Sequence, residues 1–239
     1  MTDEANAAIA GVLAYTMDAE ILVADAHANF RNLLPSRLGQ EARLIRGKPR
    51  AFGMLSGIES KVDAVVFVGY HGKAGTPRSV LAHTMSSAVI ADVRVDGESL
   101  GEIGLNAALA AHHGAVPVCV SGDDTVAAEA GAVVSGIRTV VVKRALGCHA
   151  AENLHPVEAC RRITEAVERG LKESDQIAAR RYDGAVVLEV DVLRPGMADL
   201  AALLVPGVER IGGCTLRFEA PDIAVAYRMV SLIAVLGRS

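Results

Sequence analysis

Three residues that zinc proteins use as ligands, His27, His71 and Glu102, lie at points where predicted strands end or a predicted helix begins. His27 ends the segment ILVADAH, and His71 lies in the glycine-punctuated loop GYHGKAGTP. Imidazole and carboxylate are the ligand mix of a catalytic zinc site, which must keep a position open for water. These residues are far apart in sequence and form no H-E-x-x-H motif. The spacing alone therefore leaves open that the histidines bond to backbone carbonyls and that the glutamate is exposed.

Two further residues could assist such a site. His83, in VLAHTMSS, follows the glycine loop, and it could act as an acid or a base because the ordinary pKa of histidine lies near neutrality. The alternative for His83 is a solvated position at the start of a helix. Asp25 could hydrogen-bond a ligating histidine, or it could cap the end of its strand. The residue types do not decide between these alternatives.

Several other classes of function receive little support. The loop GYHGKAGTP departs from the phosphate-binding pattern G-x-x-x-x-G-K-[ST], because Lys73 is followed by Ala74. The net charge of -4, with no basic stripe, argues against nucleic acid as a partner. The four cysteines show no C-x-x-C spacing, as is typical of reduced thiols in the cytosol. The opening MTDEANAAIAG has no basic segment followed by an apolar one, and no apolar run reaches the roughly 18–20 residues that span a bilayer. We therefore expect a cytoplasmic protein with neither a nucleic-acid nor a membrane partner.

The elements that must position these residues alternate between strands and helices. Of the 239 residues, 51% are hydrophobic but only 3% are aromatic, so small aliphatic side chains must fill the core, as suits parallel strands covered by helices. We predict an α/β fold with a mostly parallel sheet flanked by helices, a hairpin at Asp96–Gly97 on an edge, and a smaller C-terminal α+β subdomain. The predicted boundaries are 1–175 for the domain with the metal site and 183–239 for the subdomain. VPVCVSGDD is predicted to be a strand followed by an acidic loop. Polar residues after such strands face the crevice where α/β folds bind ligands.

Taken together, several segments resemble the zinc-dependent D-aminopeptidases that are encoded with bacterial dipeptide-transport operons. The similarity runs through most of the chain: MTDEANAAI, VADAH, FVGYHGKAGTP with the trailing AHTM, DGESLGEIGLNA, VSGDD and the late VPG turn. The combination of GYH-x-x-A-x-T-P with GE-x-G-LN is the most specific part.

The resemblance implies a site with two zinc ions, at which His27, His71 and Glu102 match metal ligands and His83 matches the catalytic histidine. It also implies that the substrates are short peptides with a free amino terminus, often containing D-alanine. The assembly that it implies is a ring-type homo-oligomer, a decamer in the family. One residue is inserted between His71 and His83 relative to the family pattern.

The chain departs from the family at one point. The family begins with a strand bearing S-x-D-x-E-G, whose acidic residues bind the metals, and this motif does not occur in the 239 residues. Asp18 and Glu20 have D-x-E spacing but match no family ligand. We expect a chain truncated at an internal methionine, which as written binds one zinc ion or none. The alternative is a metal-poor relative that serves as a non-catalytic ligand-binding or assembly protein.

Overall fold

A computed structural model describes residues 1–238 of the chain. The helices of more than one turn are α1 (Thr2–Tyr15), α2 (Glu102–His112), α3 (Asp124–Val133), α4 (Pro156–Lys172), α5 (Pro195–Leu204) and α6 (Ile223–Leu236). The longer strands are β1 (Ile21–Ala24), β2 (Ala42–Ile45), β3 (Ala64–Tyr70), β4 (Ile90–Val95), β6 (Val116–Asp123), β8 (Arg138–Gly147), β9 (Ala150–Asn153), β11 (Val186–Val192) and β13 (Thr215–Ala220). Short strands are β5 (Glu98–Ser99), β7 (Val134–Ser135), β10 (Ala178–Ala179) and β12 (Val208–Arg210).

The predicted α/β class is confirmed. One sheet has the order β3-β6-β8-β9, in which β3, β6 and β8 are parallel and β9 is antiparallel to β8. The core is aliphatic, as the composition requires, and it includes Ile103, Leu109 and Val118, each with no exposed surface. Among residues 1–238, no helix combines the length and the apolar character needed to cross a membrane.

A second sheet of five strands, in the order β12-β13-β11-β4-β5, is antiparallel throughout. The hairpin predicted at Asp96–Gly97 forms, but it lies in this sheet, where β4 pairs with β11. The edge hairpin of the parallel sheet is β8–β9 instead. The five-stranded sheet thus takes strands from both sides of the boundary predicted near residue 180, and the division into two domains stays a prediction.

Two details of the site-bearing segments differ from expectation. The acidic loop predicted at Asp123–Asp124, the end of VPVCVSGDD, does not form, because Asp123 caps α3 and the helix begins at Asp124. Asp and Thr side chains at this point are good helix starters, so the local sequence favours the helix. The strands that precede His27 and His71 also lie in different sheets, since β1 pairs with β2 and β3 pairs with β6.

Candidate metal centre

The side chains of His71, His83 and Glu102 meet at the carboxyl end of β3 and the first turn of α2. Each offers one ligand atom, and the three atoms lie within 4.8 Å of one another. Nε2 of His71 is 3.9 Å from Oε2 of Glu102, and Nε2 of His83 is 3.4 Å from Oε1. The two imidazole rings lie 4.3 Å apart between centroids. The structure therefore brings together three of the four residues that the sequence singled out as ligands or catalyst.

The other ring nitrogen of each histidine is held by a backbone carbonyl. Nδ1 of His71 is 3.0 Å from the carbonyl oxygen of Gly72, and Nδ1 of His83 is 2.7 Å from that of Leu81. A carbonyl oxygen only accepts, so Nδ1 must carry the proton, and the lone pair of a neutral ring is on Nε2. Both Nε2 atoms consequently present lone pairs towards the carboxylate of Glu102.

Facing lone pairs and a carboxylate repel one another unless a cation or a proton lies between them. Zinc bonds of about 2.0–2.2 Å place ligand atoms about 3.3 Å apart at the tetrahedral angle and about 4 Å apart at a wider angle, a range that contains both separations found here. The side chains are also only 13%, 22% and 10% exposed for His71, His83 and Glu102, so the surroundings are partly dry. The donor set and its spacing fit a zinc ion.

Glu102 is the first residue of α2, with Gly101 as the N-cap. A carboxylate at this position interacts favourably with the positive end of the helix dipole. Its Oε1 also accepts a hydrogen bond from the backbone N–H of Met85 at 2.9 Å. The charge that would bind a metal is thus stabilised by the helix and tied to the loop that carries His83.

The loop after His71 is anchored by Asp123, which is completely buried. Its carboxylate accepts hydrogen bonds from the Ser79 hydroxyl and the Val80 amide on one side, and from Thr125 and the Val126 amide on the other. Burial alone would raise the pKa of Asp123, but these hydrogen bonds hold the pKa below its ordinary value. Asp123 therefore stays ionised while it joins the loop to the start of α3.

Gly72, the residue after His71, packs tightly against the side chains of Ser79 and Thr125. Its amide donates to the Ser79 hydroxyl at 3.0 Å, and a Cβ at this position would lie 2.7 Å from that oxygen and 2.8 Å from the Thr125 hydroxyl. Only glycine fits there without displacing both hydroxyls. The carbonyl that orients the His71 ring belongs to this same residue.

The segment that carries His83 is held by hydrogen bonds to the β8–β9 turn and to Ala74. The amide of Leu81 donates to the carbonyl of Cys148 in the β8–β9 turn at 2.8 Å, and the hydroxyl of Thr84 accepts from the Ala74 amide. Three non-glycine residues here have positive φ, namely Arg78, Leu81 and Met85. Each such residue costs about 1–3 kcal/mol, and strained backbone of this kind is concentrated at functional sites.

Burial lowers the pKa of His71, and the neighbouring His83 adds to this, while Glu102 opposes it. His71 consequently remains neutral, and able to bind a metal, at a lower pH than an ordinary histidine.

His27 and Asp25 lie in a separate loop at the end of β1. His27 is exposed and is not among the clustered ligands of residues 1–238. The Asp25 carboxylate accepts hydrogen bonds from the amides of Asn32 and Leu33 and from the Asn32 side chain. These are the contacts of the strand-end cap, the second of the two alternatives for Asp25.

Residues that the sequence analysis did not single out hold this site together, above all Ser79, Leu81 and Met85. The polar end of β6 at Asp123 was visible in the sequence, and Asp is one of the residue types that N-cap positions favour. The contributions of Leu81 and Met85 come from their backbone groups, which no side-chain pattern reports.

Comparison with known proteins decides the family. The model of the peptidase M55 family, described as D-aminopeptidase, matches residues 1–232. The chain belongs to this family. A D-aminopeptidase of Bacillus subtilis (strain 168) is 32% identical over 238 residues, which cover 99% of this chain and 85% of that protein. The solved structure of the Zn-dependent D-aminopeptidase DppA from Bacillus subtilis, described as a self-compartmentalizing protease, superposes with a TM-score of 0.94 at 31% identity, covering 99% of this chain and 85% of that one.

The peptidase M55 family is one of metallopeptidases, and its match over nearly the whole chain confirms the resemblance inferred from the sequence. The agreement in fold confirms the α/β architecture. The chain is therefore a hydrolase of the D-aminopeptidase type, and zinc is the metal that its solved neighbour supports.

Proposed function

We propose that this protein is a zinc-dependent aminopeptidase that acts on short peptides with a free amino terminus, with D-alanine as the favoured first residue. The observation that carries the proposal is the convergence of His71, His83 and Glu102 in a chain of the D-aminopeptidase family. The preference for a D-residue is supported by the name of the Bacillus subtilis relative.

His71 and Glu102 are proposed to hold the zinc ion, through Nε2 and Oε2. Bound zinc would polarise the scissile carbonyl and lower the pKa of the attacking water. The Oε1 atom of Glu102 faces His83 rather than His71 and already accepts the Met85 amide. This division of the two carboxylate oxygens supports separate roles for the two histidines.

We assign His83 the transfer of a proton to the departing amine. Its Nδ1 is fixed on the Leu81 carbonyl, so Nε2 is the atom that exchanges the proton, and Glu102 lies 3.4 Å away to stabilise the charged ring. His83 is also the more exposed of the two histidines, as a group that must reach a substrate should be.

A second zinc ion, as the family resemblance implies, needs more anionic ligands than this cluster offers. Two dications about 3.5–4 Å apart repel strongly, so a bridging carboxylate is required to hold both. His27 remains the candidate for such a second ion, since it follows β1 as His71 follows β3. We propose that the 239 residues bind one zinc ion and not two.

We also propose that the chain forms a ring-type homo-oligomer. Support comes from the description of the solved neighbour as self-compartmentalizing. Large apolar side chains also stand out on the surface, among them Leu146 at 65%, Val157 at 71% and Leu203 at 80% exposure. Light scattering on the purified protein would test this assembly, and a monomer at all concentrations would contradict it.

The experiment for the catalytic proposal compares His71→Ala and His83→Ala. Zinc per chain is measured by elemental analysis, and hydrolysis of D-Ala-D-Ala is followed by amino-acid release. His71→Ala should lose zinc and activity together. His83→Ala should keep its zinc and lose about 10²–10⁴ in kcat, the usual contribution of proton transfer. Loss of zinc in His83→Ala would instead make His83 a ligand, and wild-type protein with neither zinc nor hydrolysis would overturn the proposed function.

A further inference from the structure

Glu129, on α3, lies between the two segments that carry the proposed zinc ligands. Its Oε2 accepts a hydrogen bond from the backbone N–H of Lys73 at 3.0 Å, two residues after His71. Its Oε1 lies against Gly101, where an added Cβ would stand only 2.1 Å from that oxygen. Gly101 is the N-cap of α2 and directly precedes Glu102. One carboxylate thus touches both the His71 loop and the start of the Glu102 helix.

The position of Glu129 is costly for a charged group. Within residues 1–238, Oε1 is buried and makes no hydrogen bond of normal geometry. Burial raises the pKa of Glu129, while the backbone N–H groups of Lys73 and Gly101 and the ammonium of Lys73 act in the opposite direction. Placing a carboxylate here costs free energy that an apolar side chain would not cost, so a role beyond filling space is indicated.

The loop and the helix start also approach very closely at this point. A Cβ on Gly101 would lie 2.6 Å from Cβ of Lys73, a contact that side-chain rotation cannot relieve. The backbone of Gly101 is extended, with φ of -87° and ψ of -173°, which any residue can adopt. The absence of a side chain is therefore required by the neighbours and not by the backbone.

The side chain of Lys73 is held as well, by contacts to Ser99. Its ammonium donates to the hydroxyl of Ser99 at 2.6 Å and to the Ser99 carbonyl at 3.3 Å. The Ser99 hydroxyl in turn donates to Asp92 at 2.5 Å. Lys73 is thus fixed at both its backbone and its side chain, which prevents the loop from moving away from Glu129.

We propose that Glu129 is a positioning residue of the metal centre, which holds the His71 loop against the start of α2 at the separation that lets one zinc ion bind both His71 and Glu102. The role rests on the proposed function in so far as zinc is the ion bound. Glu129 does not itself reach the clustered ligand atoms, so its effect must pass through Lys73 and Gly101.

The test compares Glu129→Ala with Glu129→Gln, whose amide oxygen can still accept the Lys73 N–H. Zinc affinity is measured by competition with a chromogenic chelator. Glu129→Ala should bind zinc about 10- to 100-fold more weakly, the usual effect of losing a group that orients a ligand, whereas Glu129→Gln should stay within about threefold of wild type. The matched control is Glu173→Ala, which removes a partly buried glutamate paired with Arg138 and Arg169, away from both segments.

A second measurement does not depend on zinc. In the metal-free protein, the imidazole nitrogen signals of His71 and His83 in an NMR spectrum report their surroundings. They should shift in Glu129→Ala and remain near wild type in Glu129→Gln. If the wild-type protein binds no zinc, the proposed function fails, and these signals alone decide whether Glu129 positions the histidines.

Wild-type zinc affinity together with unshifted imidazole signals in Glu129→Ala would overturn the inference. Equal damage in the Ala and Gln variants would also overturn it, because the charge and not the hydrogen bond would then be responsible. If Glu129→Ala does not fold, Gly101→Ala takes its place, since it keeps the carboxylate but forces the loop and the helix apart. Gly101→Ala must then weaken zinc binding to a similar extent, and full affinity in that variant would count against the proposal.

Discussion

Asp123 offers the sharpest test of how the site is held, because one buried carboxylate serves both a helix and a loop. It accepts the Val126 amide as the N-cap of α3, and the Val80 amide and the Ser79 hydroxyl from the His71 loop. Asp123→Ala removes all of these acceptors. Asp123→Asn keeps one oxygen, which can continue to cap the helix, while its NH₂ group faces the loop donors.

The size of the effect follows from these contacts. Loss of an N-cap costs about 1 kcal/mol, and a hydrogen bond to a charged acceptor is worth about 1.5–3 kcal/mol, with incomplete additivity. Because the Val80 amide and Ser79 are left unpaired in a buried place, we expect Asp123→Ala to lower the free energy of unfolding by about 4 kcal/mol. Asp123→Asn should cost about half as much, since the cap survives.

The first measurement is urea unfolding of the metal-free protein, monitored by circular dichroism. The second is the zinc affinity of each folded variant. The matched control is Asp222→Ala, because Asp222 caps α6 through the Val225 amide and its carboxylate makes no other described hydrogen bond. That variant should lose only about 1 kcal/mol and keep its zinc affinity. A loss in Asp123→Ala no larger than in the control would refute the claim that Asp123 fixes the His71 loop.

The pH dependence follows from the lowered pKa of Asp123. A carboxylate whose folded-state pKa lies below the ordinary value of 3.8 stabilises the protein above that value. This contribution disappears as the pH falls through the folded-state pKa. Wild-type stability should therefore drop on acidification below about pH 4, and the difference between wild type and Asp123→Ala should shrink over the same range.

Further predictions concern the metal itself. Glu102→Gln should abolish measurable zinc binding, since it removes the only carboxylate of the described cluster, and calorimetric titration with zinc would check this. Zinc affinity should fall on acidification as His71 gains a proton, but it should persist somewhat below pH 6.5 because the pKa of His71 is lowered; a fall that sets in above pH 7 would contradict the assignment. Elemental analysis of the purified 239-residue chain should find no more than one zinc ion per chain, and two tightly bound ions would show that the ligand set is wrong.

The sequence predicted the elements around the site better than the site itself. The helix that starts at Glu102 and the strand that ends before His71 both form close to the expected positions. Each has a strong local signal, either an apolar run of strand length or a helix start followed by helical spacing. The antiparallel sheet was harder to predict, because 90 residues separate the end of β4 at Val95 from the start of β11 at Val186 and nothing local specifies their pairing.

The pattern of residues in the sequence did not predict the contact between His83 and Glu102. It depends on the 72–86 loop, which has no regular structure and turns at residues whose positive φ is unusual for their type. The family resemblance indicated both residues. Only the structure shows that the amide of Met85, two residues after His83, donates a hydrogen bond to Glu102. The place of His27 was equally hidden, because the separation of β1 and β3 into two sheets is a property of strand pairing.

The anchors of the irregular loop share one physical design. Asp123 and Glu102 each lie at the amino end of a helix, where the dipole stabilises a negative charge, and each also accepts a loop amide. Helix starts are rigid, so a loop bonded to two of them keeps its two histidines at a fixed separation even without regular structure of its own. A zinc ion at Nε2 of His71 would relieve the repulsion between this lone pair and Glu102 without breaking any of these bonds. The hydrogen bonds that anchor the loop use neither Nε2 atom, so metal binding does not compete with them.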